Sequence, residues 1–281
     1  MAGAWLVPLG RQIGLHFSSV CDDYNAVVAS FINSWQLFLI ITGVLTYAIC
    51  NYIFPKLAQK AKDPEEFAKL VKTGLSAAFF IIIPVACLVY VLRGEAVAVL
   101  FMRGEFTPEL AASTAQMFSM LAPAMIMFSA IEILNRVFYA KNLVKFPMIA
   151  SLAGIAVNFV LCRIFIVNLN LPPVYITLAV LICQSITAAI LIIALKINIK
   201  EIFDRKFLGN IAKIVLSSGI LLIIIKILYD IIKNNAFESG AFKNILVALI
   251  ILVTGVGVYI GINIICKTDE AKAFVKMIRK N

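Results

Sequence analysis

Residues 110–138 carry a single acid, Glu132, and a single base, Arg136, in an otherwise apolar or uncharged stretch. Every backbone N–H and C=O inside a bilayer must be paired without water, so only helices and closed barrels span one. A helix needs about 20 mainly apolar residues to cross a hydrocarbon core of roughly 30 Å. Residues 110–138 meet that need, and so do 31–54, 70–92, 146–169, 174–195, 211–232 and 245–266. Residues 1–32 form a weaker candidate, interrupted by Arg11, Gln12, His16, Asp22 and Asp23. The reading is an all-α polytopic membrane protein of about eight transmembrane helices. With 62% hydrophobic and 14% charged residues, the chain lies far from the roughly 25% charge of soluble domains.

The polar interruptions have their own logic. Polar side chains at membrane depth are expensive and turn toward a bundle interior or a watery cavity, which makes Arg11, Asp22 and Asp23 cavity candidates. An interfacial position is the alternative, and His16 reads as a packing or interfacial residue. The stretch KLAQKAKDPEEFAKLVK places Phe67, Leu70 and Val71 at helical spacing opposite its lysines. It predicts a helix lying along the membrane surface on anionic headgroups, or a solvated connector, the two not being exclusive. Residues 196–206 alternate bases with Ile and Phe and predict another surface segment, and 267–281 a short basic tail. Pro55 is expected to end the second span and Pro84 to kink the third. Residues 1–8 lack the basic start and cleavage site of a signal peptide.

The net charge of +10 sits in short loops, where the positive-inside rule accounts for it, so nucleic-acid binding is not indicated. With the first loop outside, Arg93, Arg103, Lys226, Lys233 and Lys243 fall on the outer side, and Arg11 and Arg163 are unassigned. All the other bases face inward, including Lys200, Lys276, Arg279 and Lys280, and both termini are expected in the cytoplasm. The six cysteines are scattered singly and read as buried structural thiols, not as a metal or disulfide framework. No nucleophile–base pair, phosphate-cradling glycine loop or zinc spacing points to catalysis.

Two dense motifs flank residues 110–138. Ahead of them, Arg103-Gly104-Glu105-Phe106-Thr107-Pro108-Glu109 supplies a bend at Gly, a helix cap at Thr and a first-turn Pro. Behind them, Phe138-Tyr139-Ala140 is followed by Asn142, Lys145 and Pro147, a break between consecutive spans. This pair of phrases at this separation resembles the MviN/MurJ lipid II flippases of the multidrug/oligosaccharidyl-lipid/polysaccharide exporter superfamily. The resemblance extends through Gly43, Ala48, Phe54-Pro55 and Asn158, and covers roughly residues 8–179.

The resemblance implies fourteen membrane helices in two six-helix lobes around a central cavity, followed by a pair that forms a groove for a lipid tail. Eight spans then correspond to the second lobe (1–197), the final pair (198–266) and a basic cytoplasmic tail (267–281). It further implies an undecaprenyl-pyrophosphate-linked substrate held by cavity arginines, membrane lipids as surroundings, and a separately encoded amino-terminal lobe as partner. No cofactor is implied beyond a coupling Na⁺ or H⁺, or the membrane potential.

Several positions depart from the family pattern. Gln36 and Ser76 stand where arginines are usual, Glu132 where a base is common, and Leu143 where an acid follows the FYA phrase. Asp22 and Asn158 match oxygen-bearing family positions and are cation-binding candidates, or alternatively an interhelical hydrogen bond, although Cys162 one turn on is a poor sodium ligand. Glu132 and Arg136, four residues apart on one helix, are expected either to pair internally or to touch substrate. The expected function is the carboxyl-terminal half of a lipid II flippase of the bacterial inner membrane, moving its substrate from inner to outer leaflet. The alternatives are a remnant or non-transporting scaffold, or another exporter of the superfamily.

Overall fold

The computed structural model describes residues 6–104, 106–199, 202–235 and 241–278. Glu105, Lys200, Arg279 and Lys280 of the motif and charge readings lie outside the described residues, as do the first five residues, and so do the side chains of Lys243 and Lys276. The regular elements described are all helices: α1 Leu6–Ser18, α2 Tyr24–Gln59, α3 Pro64–Phe101, α4 Pro108–Ala140, α5 Lys145–Cys162, α6 Val174–Asn198, α7 Arg205–Asn235, α8 Ala241–Cys266 and α9 Asp269–Ile278. A π-helical turn, Arg163–Asn168, prolongs α5. Seven of these, α2 to α8, are long and apolar enough to cross a membrane.

The two motifs are helix punctuation. Gly104 adopts φ 63°, a conformation open to glycine and strained for most side chains. Thr107 Oγ1 then accepts from Leu110 N at 3.3 Å, with Pro108 in the first turn of α4. At the other end Asn142 takes φ 57°, Leu143 N donates to Phe138 O at 2.8 Å and Asn142 N to Tyr139 O at 3.0 Å. That pattern is a Schellman stop, in which a left-handed residue lets the last carbonyls be satisfied. Phe138, fully buried, packs against Phe146 with ring centroids 5.4 Å apart and sets the turn into α5 beside Pro147.

Three sequence expectations are corrected. Residues 1–32 do not form one span: α1 stops at Ser18, whose hydroxyl donates back to Gly14 O, and Asp23 at φ 52° starts α2. The KLAQKAKDPEEFAKLVK stretch is not a surface helix. Pro55 lies inside α2, which runs to Gln59, and Asp63 caps α3 by accepting from Glu66 N at 3.2 Å. Leu57, Phe67 and Val71 are fully buried in the protein core, because Lys141 at the end of α4 donates to Ala61 O and covers the Phe67 ring at 4.4 Å. Residues 196–206 likewise turn Ile202 into the core, with Phe203 packed against it, and not onto a membrane surface.

Helix α4 is the centre of the bundle. It packs against α2, α3 and α6, while α5 lies on α6 and α1, and α1 lies on α2. In its most apolar window 72% of residues are buried, against 22% for α8. Helices α7 and α8 pack against α3 through Leu88, Val91, Leu92, Leu221, Ile225, Val247 and Ile251.

Candidate lipid-binding groove and intramembrane charge pair

Between α3 and α8 the helices do not close completely. Phe80, Ile81, Pro84, Leu88, Gly255 and Tyr259 line an apolar slot of about 220 Å³. Tyr259 spends its hydroxyl on Phe80 O at 2.9 Å, so the slot wall presents hydrocarbon and ring surface. Phe80 and Ile81 also line a second cavity of about 790 Å³, whose other walls include Lys69, Lys72, Ser76, Asp204, Lys206 and Asn210. Two shared residues thus join an apolar slot to a charged mouth.

The mouth is held by cross-chain bonds. Asn210 Nδ2 donates to Glu270 Oε1 and Oε2 at 3.1 and 3.0 Å, and its Oδ1 accepts from Asp269 N at 3.1 Å, which ties α9 to α7. Asp204 accepts from Lys72 Nζ at 2.6 Å and from Phe207 N at 2.7 Å. The Lys72 hydrogen bond first, then the Phe207 N–H, hold the Asp204 carboxyl below the usual carboxylate range. A carboxyl depressed in the folded state stabilises above its unfolded value of about 3.9 and loses that contribution as pH falls through the native value. Amide exchange over residues 202–207, corrected for intrinsic rates, is therefore expected to be steady from about pH 8 to about pH 5 and to rise below about pH 4. Lys72→Met is expected to raise it already at neutral pH; equal protection in that variant would show that the pair does not hold the mouth.

A second polar feature lies on α4. Arg136 Nη2 is 3.5 Å from Glu132 Oε2, so the internal pair expected from their spacing forms. Thr46 of α2 and Ser129 of α4 share a 2.6 Å hydrogen bond one turn away. Phe128 is buried there, with its ring 5.6 Å from Phe38 and 6.3 Å from Tyr47.

The remaining predicted site residues are dispersed. Arg11, Asp22 and Asp23 are exposed, the two acids in the α1–α2 turn, and Gln36 is exposed on α2. Ser76 is buried and lines the groove mouth, so the two positions expected to share an arginine cavity face different surroundings. Asn158 is buried with its amide beside Gly10 of α1. Its Oδ1 accepts from Cys162 Sγ of its own helix at 3.6 Å, and its Nδ2 has no partner among the described residues. The described contacts therefore join Asn158 to α1 but not to Asp22. Among the described residues no cluster of three His, Cys, Asp or Glu could hold a metal, and the six cysteines are free.

The resemblance implied a lipid-tail groove at the final helix pair; sequence reasoning missed that α3 forms one of its walls, and missed a buried network farther along α3. Glu95, only 8% exposed, accepts from Tyr229 OH at 2.5 Å, and Lys233 Nζ donates to the same hydroxyl at 3.0 Å. The available signal was the apolar continuation AVAVLF after Glu95, which carries α3 to Phe101, well past the expected end at 92.

The profile of the family described as "Lipid II flippase MurJ" matches residues 8–252. The chain belongs to the MurJ family. The probable lipid II flippase MurJ of Thermotoga maritima is 26% identical over 273 residues, covering 95% of this chain and 54% of that protein. The probable MurJ of Buchnera aphidicola is 26% identical over 157 residues, 52% of this chain and 31% of its own length. The chain thus spans about half or less of these MurJ relatives. Among solved structures, lipid II flippase MurJ in an inward closed conformation superposes with a TM-score of 0.73 at 20% identity, over 94% of this chain and 52% of that one. A MATE transporter in the bent conformation superposes with a TM-score of 0.60 at 17% identity, over 99% and 67%. These likenesses establish the shared fold, that of an all-α integral membrane protein of the MurJ family.

Proposed function

We propose that this chain acts as the carboxyl-terminal half of a lipid II flippase, moving an undecaprenyl-pyrophosphate-linked peptidoglycan precursor from the inner to the outer leaflet of the bacterial cytoplasmic membrane. The observation that carries the reading is the groove: an apolar slot between α3 and α8 opens at Phe80 and Ile81 into a mouth where Lys69, Lys72 and Lys206 stand among Glu65, Glu66, Asp204, Asp269 and Glu270. An amphiphile with a long hydrocarbon tail and a polar headgroup fits that order of surfaces. The charged mouth, one wall of which is α9, belongs on the cytoplasmic side by the positive-inside rule. Alternating access needs one repeat to rock against another around a central site, so an amino-terminal lobe is the partner, and a coupling cation or the membrane potential is the driving force.

Gln36 and Ser76, neutral where family members carry arginine, support a second reading, a scaffold that keeps the fold without transport. Complementation separates the two. In bacteria depleted of their lipid II flippase, this chain is expected to restore growth when co-expressed with a six-helix amino-terminal lobe, and not alone. Normal membrane insertion without rescue in both arms would favour the scaffold, and rescue by the chain alone would remove the need for a second lobe.

A further inference from the structure

The charged side chains of the groove mouth mostly satisfy one another. Lys72 pairs with Asp204 at 2.6 Å and Lys69 with Glu66 at 3.4 Å. Asp269 pairs with Lys272 at 3.2 Å, and the carboxylate of Glu270 accepts both bonds from the Asn210 amide. Two lining charges, Glu65 and Lys206, then have neither a hydrogen bond nor an ion pair among the described residues. Both are exposed, Glu65 in the first turn of α3 and Lys206 in the first turn of α7. Among the described residues five acids and three bases line the mouth, so a headgroup with negative charge alone meets net repulsion there. A headgroup with a phosphate and an ammonium presents an opposite charge to each unpaired side chain.

We propose that the groove holds a zwitterionic phospholipid of the inner leaflet, with its phosphate against Lys206, its primary ammonium against Glu65 and an acyl chain in the slot at Phe80 and Ile81. A primary ammonium brings three N–H donors to a carboxylate, and bonds between charged partners are the stronger kind. The slot takes the chain because its wall is hydrocarbon and ring surface, Tyr259 having its hydroxyl on Phe80 O. Lys69 and Lys72 stay with their own carboxylates, so the choice between headgroups falls to Glu65. The diphosphate of a carried lipid, which the family resemblance assigns to an arginine cavity, is not required in this mouth. Only the groove is shared with the proposed function; the phospholipid site does not depend on transport.

The test reads the most tightly held lipid by native mass spectrometry of the full purified chain, released from nanodiscs of equal parts phosphatidylethanolamine and phosphatidylglycerol with the same acyl chains. The unaltered chain is expected to retain phosphatidylethanolamine about threefold to fivefold over phosphatidylglycerol, the size of one exposed charge pair. Glu65→Gln is expected to level the two lipids. Glu65→Lys is expected to reverse their order, a gain that a misfolded chain would not show. Lys206→Gln is expected to lower retention of both, by about threefold to fivefold. Ile81→Trp, which fills the junction of slot and mouth, is expected to lower both as well. Equal retention of the two lipids by the unaltered chain, a preference that survives Glu65→Lys, or full retention in Ile81→Trp would overturn the inference. The expected preference with failed complementation would sustain the phospholipid site and count against the flippase reading alone. Successful complementation with equal retention would do the opposite.

Discussion

Replacing Gly14 with alanine is expected to pry α1 from α2 and lower the thermal midpoint of the detergent-solubilised chain by several degrees. A Cβ at Gly14 would lie 2.1 Å from Phe31 Cζ and 2.6 and 2.8 Å from the two Cε atoms of the same ring. Phe31 is fully buried, with the Trp35 ring 5.5 Å away, so the ring has nowhere to turn. Forcing extra volume into a filled core costs about 1–3 kcal/mol. For a chain of this size each kcal/mol corresponds to about 2–4 °C. Phe31→Leu added to Gly14→Ala is expected to restore most of the loss by vacating the contested space. An unchanged midpoint in Gly14→Ala would mean that α1 does not hold the close approach described.

Tyr229→Phe is the second change with a large expected effect. The lost hydroxyl is the one donor to Glu95 Oε1, and Glu95 Oε2 already has no partner among the described residues. A hydrogen bond to a charged group contributes about 1.5–3 kcal/mol, and leaving the charge buried and unpaired exacts the full desolvation cost. Helix α7 is therefore expected to loosen from α3, read as faster amide exchange around residues 225–233. Glu95→Gln is expected to be much milder, since its amide oxygen still accepts from Tyr229. Combining Tyr229→Phe with Glu95→Leu is expected to recover most of the protection, because removing both polar partners leaves nothing unpaired. If the single Tyr229 change proves as harmless as Glu95→Gln, the network is not what docks α7.

Both effects depend on contacts that no local pattern announces. Phe31 reads as one more apolar residue in a long run, and nothing in its neighbourhood says that a glycine 17 positions earlier must make room for it. Glu95 lies beyond the apolar range 70–92, and packing against α7 accompanies the helix on through Arg93 and Gly94 to Phe101. The surface-helix expectation for residues 56–72 failed similarly. Amphipathic spacing shows that one face of a helix will be covered, but the same pattern serves for lipid or for protein, and here the end of α4 covers it through Lys141.

The sequence by itself determined the helical class, the run of membrane-crossing segments, the helix breaks at Gly104, Thr107 and Asn142, the family, and the placing of Glu132 and Arg136 on one face of a helix. All of these depend on neighbours within a few residues, or on the length of an apolar run against the thickness of a bilayer. Only the tertiary structure decided that α1 and α2 are separate, that Ser76 faces a groove while Gln36 lies on open surface, that Asn158 meets Gly10, and that slot and mouth join at Phe80 and Ile81. Those facts depend on which faces of distant helices meet, and in a chain that is apolar almost all round, periodicity does not mark the face that a partner will cover.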